Sequence, residues 1–288
     1  MRNKISSSKF KDDLIKLGIS KGDVLLLRAG LKEIGVLESR DRNDYVKLIL
    51  DVLGPEGTLV ALSFTNSFLL KKNKKIVFDK NVKANTGAFA NIMITYPNSV
   101  RSEHPTNSFV AIGKHAEFIL KDHDHTKGAY YPMKKIIELG GKMALVGCVD
   151  TSPGFTTTHF AEVNLGLHKK IIFPTFNRAF YKKGNQTVLF KRRDLGSCSS
   201  TFYRFYSYYV YKKLLKQSDV GSAYSVLIDA REAYEVDCNV LINNKKITIC
   251  SNSNCFLCRA RRWDNLIDIP RFIMKKILNH VSKRFKNG

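Results

Sequence analysis

Apolar positions in the first part of the chain form short continuous runs separated by one segment with helical spacing. Val24-Leu25-Leu26-Leu27 is too short for a helix and is typical of a buried strand, as is Thr58-Leu59-Val60-Ala61-Leu62. Between these runs, residues 43–53 have the apolar spacing of an amphipathic helix, which Gly54-Pro55 would end. A strand, a helix and a second strand in this order predict an α/β layered sheet.

Two later apolar runs extend the predicted sheet. Residues 108–113 and 142–149 have the length and composition of further strands. Between the earlier strands and these lies a long, polar, lysine-rich stretch at residues 63–103. A segment of that length inside a compact domain usually carries function, so we expect it to contribute to a binding site.

The pattern becomes less regular after residue 165. Apolar runs at 171–173 and 187–190 predict short strands, and a tyrosine-rich segment at about 201–216 predicts a helix. No internal repeat or low-complexity tract separates this part from the rest. We expect a single domain, divided into a core and a C-terminal subregion: residues 1–288, 1–165 and 166–288.

The net charge of the chain indicates which classes of partner it is able to bind. The chain has 288 residues and a formal net charge of +23, which favours an anionic partner such as nucleic acid, a membrane surface or a phosphorylated ligand. The lysines are spread along the chain, and no helix-turn-helix or RNA-binding pattern is visible, so we expect no nucleic-acid partner. No stretch reaches the roughly 18 apolar residues of a membrane span. No apolar run of a secretory signal follows residues 1–4, so we expect a cytoplasmic protein.

Residues 154–162 place a histidine and a glutamate one helical turn apart, shortly after the predicted strand. If a helix begins at the threonines 156–158, His159 and Glu162 lie on the same face. A neutral imidazole oriented by a carboxylate makes a general base near neutral pH. From the spacing alone, a capped helix start with an ordinary surface pair is the favoured interpretation, so other segments must decide between the two.

Several segments, in the right order, resemble the aminoglycoside 3-N-acetyltransferase family. Residues 54–60 are similar to that family's Gly-Pro-x-Gly-Thr-Leu segment, and residues 100–108 to its Arg-Ser-x-His-Pro-Thr-x-Ser signature. The resemblance covers residues 5–165 well and the remainder loosely. Other matching segments are Ser63-Phe64-Thr65, Phe78-Asp79 with Thr86-Gly87, residues 140–147 and residues 158–162.

The resemblance implies a three-layer α/β/α sandwich around a mixed central sheet, with a C-terminal helical and cysteine-containing extension. It also implies direct transfer of an acetyl group from acetyl-CoA to an amine, without a covalent enzyme intermediate. His159, oriented by Glu162, would take the amine proton, and donors would be needed for the oxyanion of the tetrahedral intermediate. His104 is the third expected catalytic residue, with Thr106 and Ser108 beside it. The alternative for these three is a turn whose polar side chains bond their own backbone.

The loop after the first predicted strand is the expected site for CoA, because backbone N–H groups and a lysine suit its phosphates. The family usually has Ser-Ser-Leu-Arg-Ser-Ile-Gly here, whereas residues 29–35 read Ala-Gly-Leu-Lys-Glu-Ile-Gly. Both serines are therefore replaced and Glu33 adds a negative charge, although Gly30 still permits close approach of backbone to a phosphate. The expected cofactor-binding residues are Gly30, Leu31, Lys32, Gly35, Ser63, Thr65 and Ser108.

Charge also bears on the acceptor. Aminoglycosides are polycations, and a site for them should present carboxylates. The long polar stretch instead carries a lone acid, Asp79, among Lys71, Lys72, Lys74, Lys75, Lys80 and Lys83. If this loop lines the acceptor cleft, it favours a neutral or anionic acceptor, and we expect an amino sugar of surface polysaccharide biosynthesis. The alternatives are a true aminoglycoside acceptor and a non-catalytic binding module that uses the basic surface.

Four of the six cysteines suggest a metal site. Cys250, Cys255 and Cys258 follow a Cys-x4-Cys-x2-Cys pattern, and Cys198 lies in a Gly-Ser-Cys-Ser segment. Four thiolates in this arrangement suit a structural zinc ion or an iron–sulfur cluster. The spacing departs from paired Cys-x2-Cys motifs, so free thiols in a reducing compartment are the alternative.

The C-terminal residues 269–285 have the pattern of a basic amphipathic helix. One interpretation is a terminal helix docked on the domain. The other is adsorption to an anionic membrane surface, which would place the protein peripherally at the inner membrane.

Overall fold

The structure, a computed structural model, describes residues 3–68, 77–170, 177–255 and 257–259, together with positions 274, 277 and 278. Its strands are β1 (Lys4–Ile5), β2 (Val24–Ala29), β3 (Val36–Leu37), β4 (Thr58–Leu62), β5 (Val77–Phe78), β6 (Val100–Arg101), β7 (Phe109–Gly113), β8 (Lys142–Val146), β9 (Arg178–Lys183), β10 (Gln186–Lys191), β11 (Lys216–Val220) and β12 (Ala223–Asp229). Its α-helices are α1 (Ser7–Leu17), α2 (Leu31–Ile34), α3 (Asn43–Leu53), α4 (Ala88–Thr95), α5 (Ala116–Leu120), α6 (Pro132–Glu138), α7 (Thr156–Asn164), α8 (Tyr206–Tyr211) and α9 (Ala230–Asn243). Short 3-10 helices lie at Leu167–Lys170 and Phe202–Phe205.

A mixed seven-stranded sheet forms the centre, in the order β11-β12-β8-β2-β4-β7-β6. The three middle strands β8, β2 and β4 run parallel, and β12 and β7 flank them antiparallel. A parallel pair needs a crossover connection, and α3 supplies it between β2 and β4. The last two strands come from the part of the chain after residue 165, so this part completes the sheet. Two smaller sheets have the orders β1-β3 and β10-β9-β5.

Side chains of the middle strands alternate between two cores, which gives the fold three layers. Leu25 and Leu27 pack with α1, α3 and α4 on one face of the sheet. Val24 and Leu26 pack with α5, α6, α7 and α9 on the other. Because both faces are covered, β2 and β4 read as continuous apolar runs without alternation. The predicted α/β/α sandwich around a mixed sheet is confirmed.

Local signals at the helix ends agree with the observed bounds. Ser6 caps α1 by accepting a hydrogen bond from the N–H of Lys9, and Gly18 ends the helix with a φ of 110°. Gly54 ends α3 with a φ of 66°, where the sequence predicted a stop. Asp229 caps α9 by accepting from two backbone N–H groups of its first turn.

The helix predicted at about 201–216 is wrong in extent. The chain forms the 3-10 helix Phe202–Phe205 and the short α8, and β11 already begins at Lys216. The reason lies at Lys213, whose φ of 58° is in the left-handed region and cannot continue a right-handed helix. The polar stretch at residues 63–103 is a separate case: it is not all loop, because it contains β5, α4 and β6.

Some sequence predictions lie outside the described residues. These are the strand at 171–173, the lysines between 71 and 75, and most of the helix at 269–285. The membrane contact expected for that helix stays a prediction. Among the described residues, no helix has the combined length and apolar character that crossing a bilayer requires.

Candidate active site

A pocket opens where the parallel strands β2 and β4 end at their carboxyl edge. It is lined by the strand ends at residues 27–29 and 61–62, by Thr86, Phe89 and Ala90 at the start of α4, by five residues between Ser152 and His159, and by Ser199 and Phe202. In open α/β sheets, ligands bind at this edge, where connections from neighbouring strands diverge. The volume of about 260 Å³ is slightly below the ~300–1,000 Å³ of sites that enclose a drug-sized ligand. The pocket therefore suits the reacting groups of two substrates better than either whole molecule.

Helix α7 is fixed by its first turn, which holds three buried threonines. The hydroxyl of Thr158 donates a hydrogen bond of 3.2 Å to Oδ2 of Asp237 on α9. The hydroxyl of Tyr209 donates to the other oxygen, Oδ1, at 2.5 Å. Burial raises the pKa of the Asp237 carboxyl to about 7. The start of α7 is thus held by a buried polar network, which sets the direction of the residues that follow.

His159 and Glu162 form the pair that the sequence predicted. Nδ1 of His159 lies 3.1 Å from Oε2 of Glu162. The histidine side chain is 16% exposed and lines the pocket, whereas the glutamate side chain is 0% exposed. A carboxylate can only accept hydrogen bonds, so Nδ1 carries the proton of a neutral imidazole and Nε2 is left as the basic nitrogen. This is the arrangement of a general base oriented by a buried carboxylate.

Glu162 is buried, and a buried carboxylate requires hydrogen-bond donors. The backbone N–H of Ser197 donates to Oε2 of Glu162 at 3.1 Å. The preceding residue, Gly196, packs so closely that a Cβ added there would lie 2.4 Å from the same oxygen. The loop that carries Gly196 and Ser197 therefore closes over the pair from the side opposite α7.

Aromatic rings hold the imidazole of His159 on both sides. The ring of Tyr130 stacks on it at a centroid distance of 5.0 Å, and Phe202 meets it edge-on at 4.6 Å. Behind Tyr130, the guanidinium of Arg192 lies 5.4 Å from the ring centroid and pairs with Asp194. A ring confined in this way keeps the orientation that proton transfer needs.

Arg28 and Cys148 were not predicted, and both line the pocket. The guanidinium of Arg28 donates to the carbonyl oxygen of Gly154 at 2.8 Å and also to Ser152. It thereby fixes the segment that leads into α7. Burial raises the pKa of the Cys148 thiol, so this thiol is protonated at neutral pH and is a poor nucleophile.

His104 does not reach this pocket. Its Nδ1 accepts a hydrogen bond of 2.9 Å from the N–H of Asn107, and its ring stacks on His123 at 4.9 Å. Burial, followed by His123 and Arg192, holds the pKa of His104 well below its ordinary value, so the ring is neutral. It borders a separate cleft with Phe190 and Asp194. The geometry matches the alternative raised from sequence, a side chain that bonds the backbone of its own turn.

The hydroxyl groups expected to bind the cofactor are used inside the protein. Ser108 donates to the carbonyl oxygen of Ser63 at 2.7 Å, and the two hydroxyl oxygens lie 3.1 Å apart. Thr65 donates to the carbonyl oxygen of Pro105 at 2.7 Å. All three side chains are buried, and Arg101 donates to both Ser108 and the backbone of Ser63. They therefore join β4 to β7, away from the pocket lining.

The loop expected to bind CoA lies at the carboxyl end of β2, next to the pocket. The N–H of Gly30 donates to the carbonyl oxygen of Val146 at 2.8 Å, and a Cβ on Gly30 would lie 2.1 Å from the oxygen of Gly147. Leu31 begins the short helix α2, Lys32 is exposed on it, and Gly35 ends it. Lys32 is thus accessible to an anionic ligand, but none of residues 30–35 is among those that line the pocket.

The four cysteines predicted as metal ligands come together near this pocket. The sulfur atoms of Cys198, Cys250, Cys255 and Cys258 all lie within 4.8 Å of one another. Among the predicted site residues, His159, Glu162 and the cysteines are therefore brought into chemically useful groups. Arg28, Tyr130 and Phe202 were missed because their roles depend on contacts between segments far apart in the chain.

Comparison with known proteins places the chain among acetyltransferases. The sequence profile described as aminoglycoside 3-N-acetyltransferase matches residues 26–241. The aminoglycoside N(3)-acetyltransferase IX of Micromonospora chalcea is 28% identical over 217 residues, which cover 69% of this chain and 75% of that protein.

Solved structures agree on the fold. The apoenzyme of aminoglycoside acetyltransferase AAC(3)-IVa superposes with a TM-score of 0.74 at 23% identity, covering 92% of this chain and 99% of that one. AAC-IIIb in a binary complex with CoASH superposes with a TM-score of 0.64 at 20% identity, covering 84% and 97%. These likenesses support the fold, and the profile match supports the family. The chain belongs to the aminoglycoside 3-N-acetyltransferase family, a family of acetyl-CoA-dependent N-acyltransferases.

Proposed function

We propose that this chain transfers the acetyl group of acetyl-CoA to an amine of an aminoglycoside, with His159 as the general base. The observation that carries the proposal is the hydrogen-bonded pair of His159 and Glu162 in the wall of a pocket at the carboxyl edge of the sheet. The relatives are acetyltransferases of aminoglycosides by name, which favours this acceptor over an amino sugar of polysaccharide biosynthesis.

The chemistry needs a deprotonated amine beside the thioester carbonyl. His159 Nε2 accepts a proton from the attacking amine, and the new C–N bond forms as the carbonyl becomes a tetrahedral oxyanion. Collapse of this intermediate breaks the C–S bond, and the thiolate of CoA leaves and takes up the proton. The ionised Glu162 stabilises the imidazolium that exists between these two proton transfers. No covalent bond to the enzyme is required.

CoA reaches this base along the carboxyl end of β2 in this proposal. Lys32 is exposed on α2, which follows that end, and a lysine there is able to pair with a phosphate. Calorimetry with CoA on the wild type and Lys32→Glu tests this placement. We expect saturable binding that weakens by about tenfold or more on charge reversal. Equal affinity in the two proteins would place the phosphates elsewhere, and no binding at all would favour the non-catalytic binding module.

Release of free CoA, followed with a thiol reagent, tests the activity. Purified full-length chain is mixed with acetyl-CoA and a gentamicin-type aminoglycoside, and His159→Gln is compared with the wild type. We expect kcat to fall by about 10²–10⁴-fold in the variant. His115→Gln, a histidine outside the pocket lining, is the matched control and should keep wild-type activity. Equal rates for His159→Gln and wild type would exclude the proposed base.

A second acceptor class rests on a specific observation. Among the described residues that line the pocket, Arg28 is the charged side chain and none is an aspartate or glutamate. A polycation gains little from such a lining, whereas a nucleotide-linked amino sugar brings negative charge to it. The ratio of kcat/KM for the two acceptor classes decides between them. A higher value for the nucleotide amino sugar would replace the aminoglycoside as acceptor and leave the role of His159 unchanged.

A further inference from the structure

Four cysteines from two separate segments meet beside the candidate active site. Cys198 lies in the loop before the 3-10 helix Phe202–Phe205, and the other three lie beyond α9. The sulfur atoms of Cys198 and Cys258 are 3.5 Å apart, and all four sulfur atoms lie within 4.8 Å of one another. No disulfide bond joins any two of these four cysteines. A group of thiols gathered from distant parts of a chain is the arrangement of a metal site.

The spacing of the sulfur atoms distinguishes between the metals. A tetrahedral zinc ion with Zn–S bonds of about 2.3 Å separates its sulfur ligands by about 3.8 Å. The observed distances, 3.5 Å for one pair and at most 4.8 Å for any pair, match that tetrahedron. An iron–sulfur cluster places several irons and sulfides between its cysteines and needs a wider spacing. We propose that Cys198, Cys250, Cys255 and Cys258 bind one structural zinc ion.

The backbone around the cysteines supports charged sulfur ligands. The N–H of Cys250 points at Sγ of Cys258 at 3.4 Å, and the hydroxyl of Ser200 lies 3.0 Å from Sγ of Cys198. Donors directed at sulfur stabilise the thiolate form that binds metal. Four thiolates and one Zn²⁺ leave a net negative charge, and the guanidinium of Arg259, the residue after Cys258, donates to the carbonyl oxygens of Ser251 and Asn252 in the turn that carries the ligands. The shell around the sulfur atoms therefore suits an anionic zinc–thiolate site.

A tight turn brings three of the ligands together. The side chain of Asn252 accepts a hydrogen bond of 2.8 Å from the N–H of Asn254, and its carbonyl oxygen accepts one of 3.1 Å from Cys255. This turn reverses the chain between Cys250 and Cys255. Arg204 also donates to the carbonyl oxygen of Ile247 at 2.9 Å, which fixes the start of this segment to the domain. The ligands are thus presented by a short segment that has little core of its own.

The fourth ligand connects the zinc to the catalytic pair. Cys198 follows Ser197, whose N–H donates to Glu162, and precedes Ser199, which lines the pocket. Ser199 has a φ of 63°, a conformation that costs energy for a residue other than glycine. A zinc ion bound to Cys198 would hold this loop in place over Glu162. This part of the inference rests on the proposed function, whereas zinc binding itself does not.

Metal analysis of the full chain, purified without chelator, tests the binding. We expect about one zinc per chain, and replacement by cobalt should give the visible spectrum of a tetrahedral thiolate site. Cys255→Ser and Cys258→Ser should lose the metal, and Cys238→Ser, a cysteine on α9 outside the group, should retain it. Zinc below about 0.2 per chain in the wild type would overturn the proposal. So would undiminished zinc in both variants, or iron with sulfide in place of zinc.

Hydrogen exchange tests the connection to the loop without an activity measurement. Zinc is removed from the wild type with a chelator and then restored, and the exchange of amides at 195–202 is followed. We expect exchange in this segment to rise by about tenfold or more on removal and to recover on restoration. Amides of α3, on the opposite face of the sheet, are the control and should not change. Unchanged exchange at 195–202 in metal-free protein would show that the zinc does not hold the loop.

Discussion

A Cβ on Gly196 would lie 2.4 Å from Oε2 of Glu162, closer than two such atoms can approach. The carboxylate is buried and bonded to His159, so it has no room to move aside. Glycine at position 196 is therefore required by the contact with the catalytic pair. The loop that contains it acts as the second wall of the site, facing α7.

Gly196→Ala should displace this wall and disturb the base. We expect kcat/KM to fall by about 10²-fold, because a misplacement of about 1 Å is enough to cause such a loss. Gly184→Ala, in the turn between β9 and β10, has nothing within 4 Å of the added Cβ and serves as the control. It should keep wild-type kinetics at the cost of a small loss of stability from its φ of 56°. Wild-type kinetics in Gly196→Ala would mean that the loop is free to shift.

Glu162→Gln should show whether Glu162 acts on His159 or binds the acceptor. The amide keeps the shape of the side chain but removes the negative charge that stabilises the imidazolium form of His159. We expect kcat to fall by about 10²-fold or more, with the KM for the acceptor within about twofold. A rise in the KM for the acceptor, with kcat unchanged, would instead assign Glu162 a role in binding the acceptor.

His104→Asn should preserve activity. The side-chain oxygen of asparagine is able to accept the hydrogen bond from the N–H of Asn107 that Nδ1 of His104 now accepts. We expect a loss of about 1–3 kcal/mol in the free energy of unfolding, because a buried group is replaced by an imperfect substitute. The value of kcat should stay within about threefold of the wild type, and the pH–rate profile should be unchanged. A loss of activity comparable to that of His159→Gln would restore His104 as a catalytic residue.

Cys148→Ala should retain activity although the thiol lines the pocket. The raised pKa of Cys148, caused by burial, keeps the thiol neutral, and direct transfer needs no covalent intermediate. We expect kcat within about threefold of the wild type in single-turnover and steady-state measurements. Trapping of an acetylated Cys148, together with loss of turnover in the variant, would contradict direct transfer.

Asp237→Asn should change the pH dependence of stability. Burial raises the pKa of Asp237 to about 7 in the folded chain, from the ordinary value of 3.8. The folded state therefore binds more protons than the unfolded state between these values, and this residue's contribution to stability falls as pH rises through that window. Denaturant unfolding at several pH values measures the difference between the wild type and Asp237→Asn. We expect the variant to gain relative to the wild type by at most about 1.4 kcal/mol per pH unit between about pH 4 and 7. A constant difference would show that Asp237 is ionised in the fold.

Much of the scaffold follows from local patterns. The bounds of α3 and β4 agree with prediction because an amphipathic period and a continuous apolar run are set by neighbours in sequence. The tyrosine-rich helix was overextended because the left-handed residue Lys213 carries no strong local signal, such as glycine. β11 begins three residues later, at Lys216, and helical periodicity carries no information about where such a strand starts.

The site was predictable only in part. His159 and Glu162 are one turn apart on a helix, so their contact follows from spacing alone. Arg28 lies on β2 and bonds the segment at 152–154, which no local pattern reveals. Ser63 and Ser108 matched a family signature, yet their contact across β4 and β7 gives them structural partners that the motif alone does not disclose.

The contact between Gly30 and Gly147 limits how the pocket is able to change shape. The ends of β2 and β8 are joined there, since a Cβ on Gly30 would lie 2.1 Å from the carbonyl oxygen of Gly147. With no space for a side chain between them, these two loops form one continuous rigid rim. Room for a bulkier acceptor must then come from other parts of the lining, such as Thr86, Phe89 and Ala90 at the start of α4. Diversification of acceptors on this scaffold would accordingly concentrate there, while the rim stays constant.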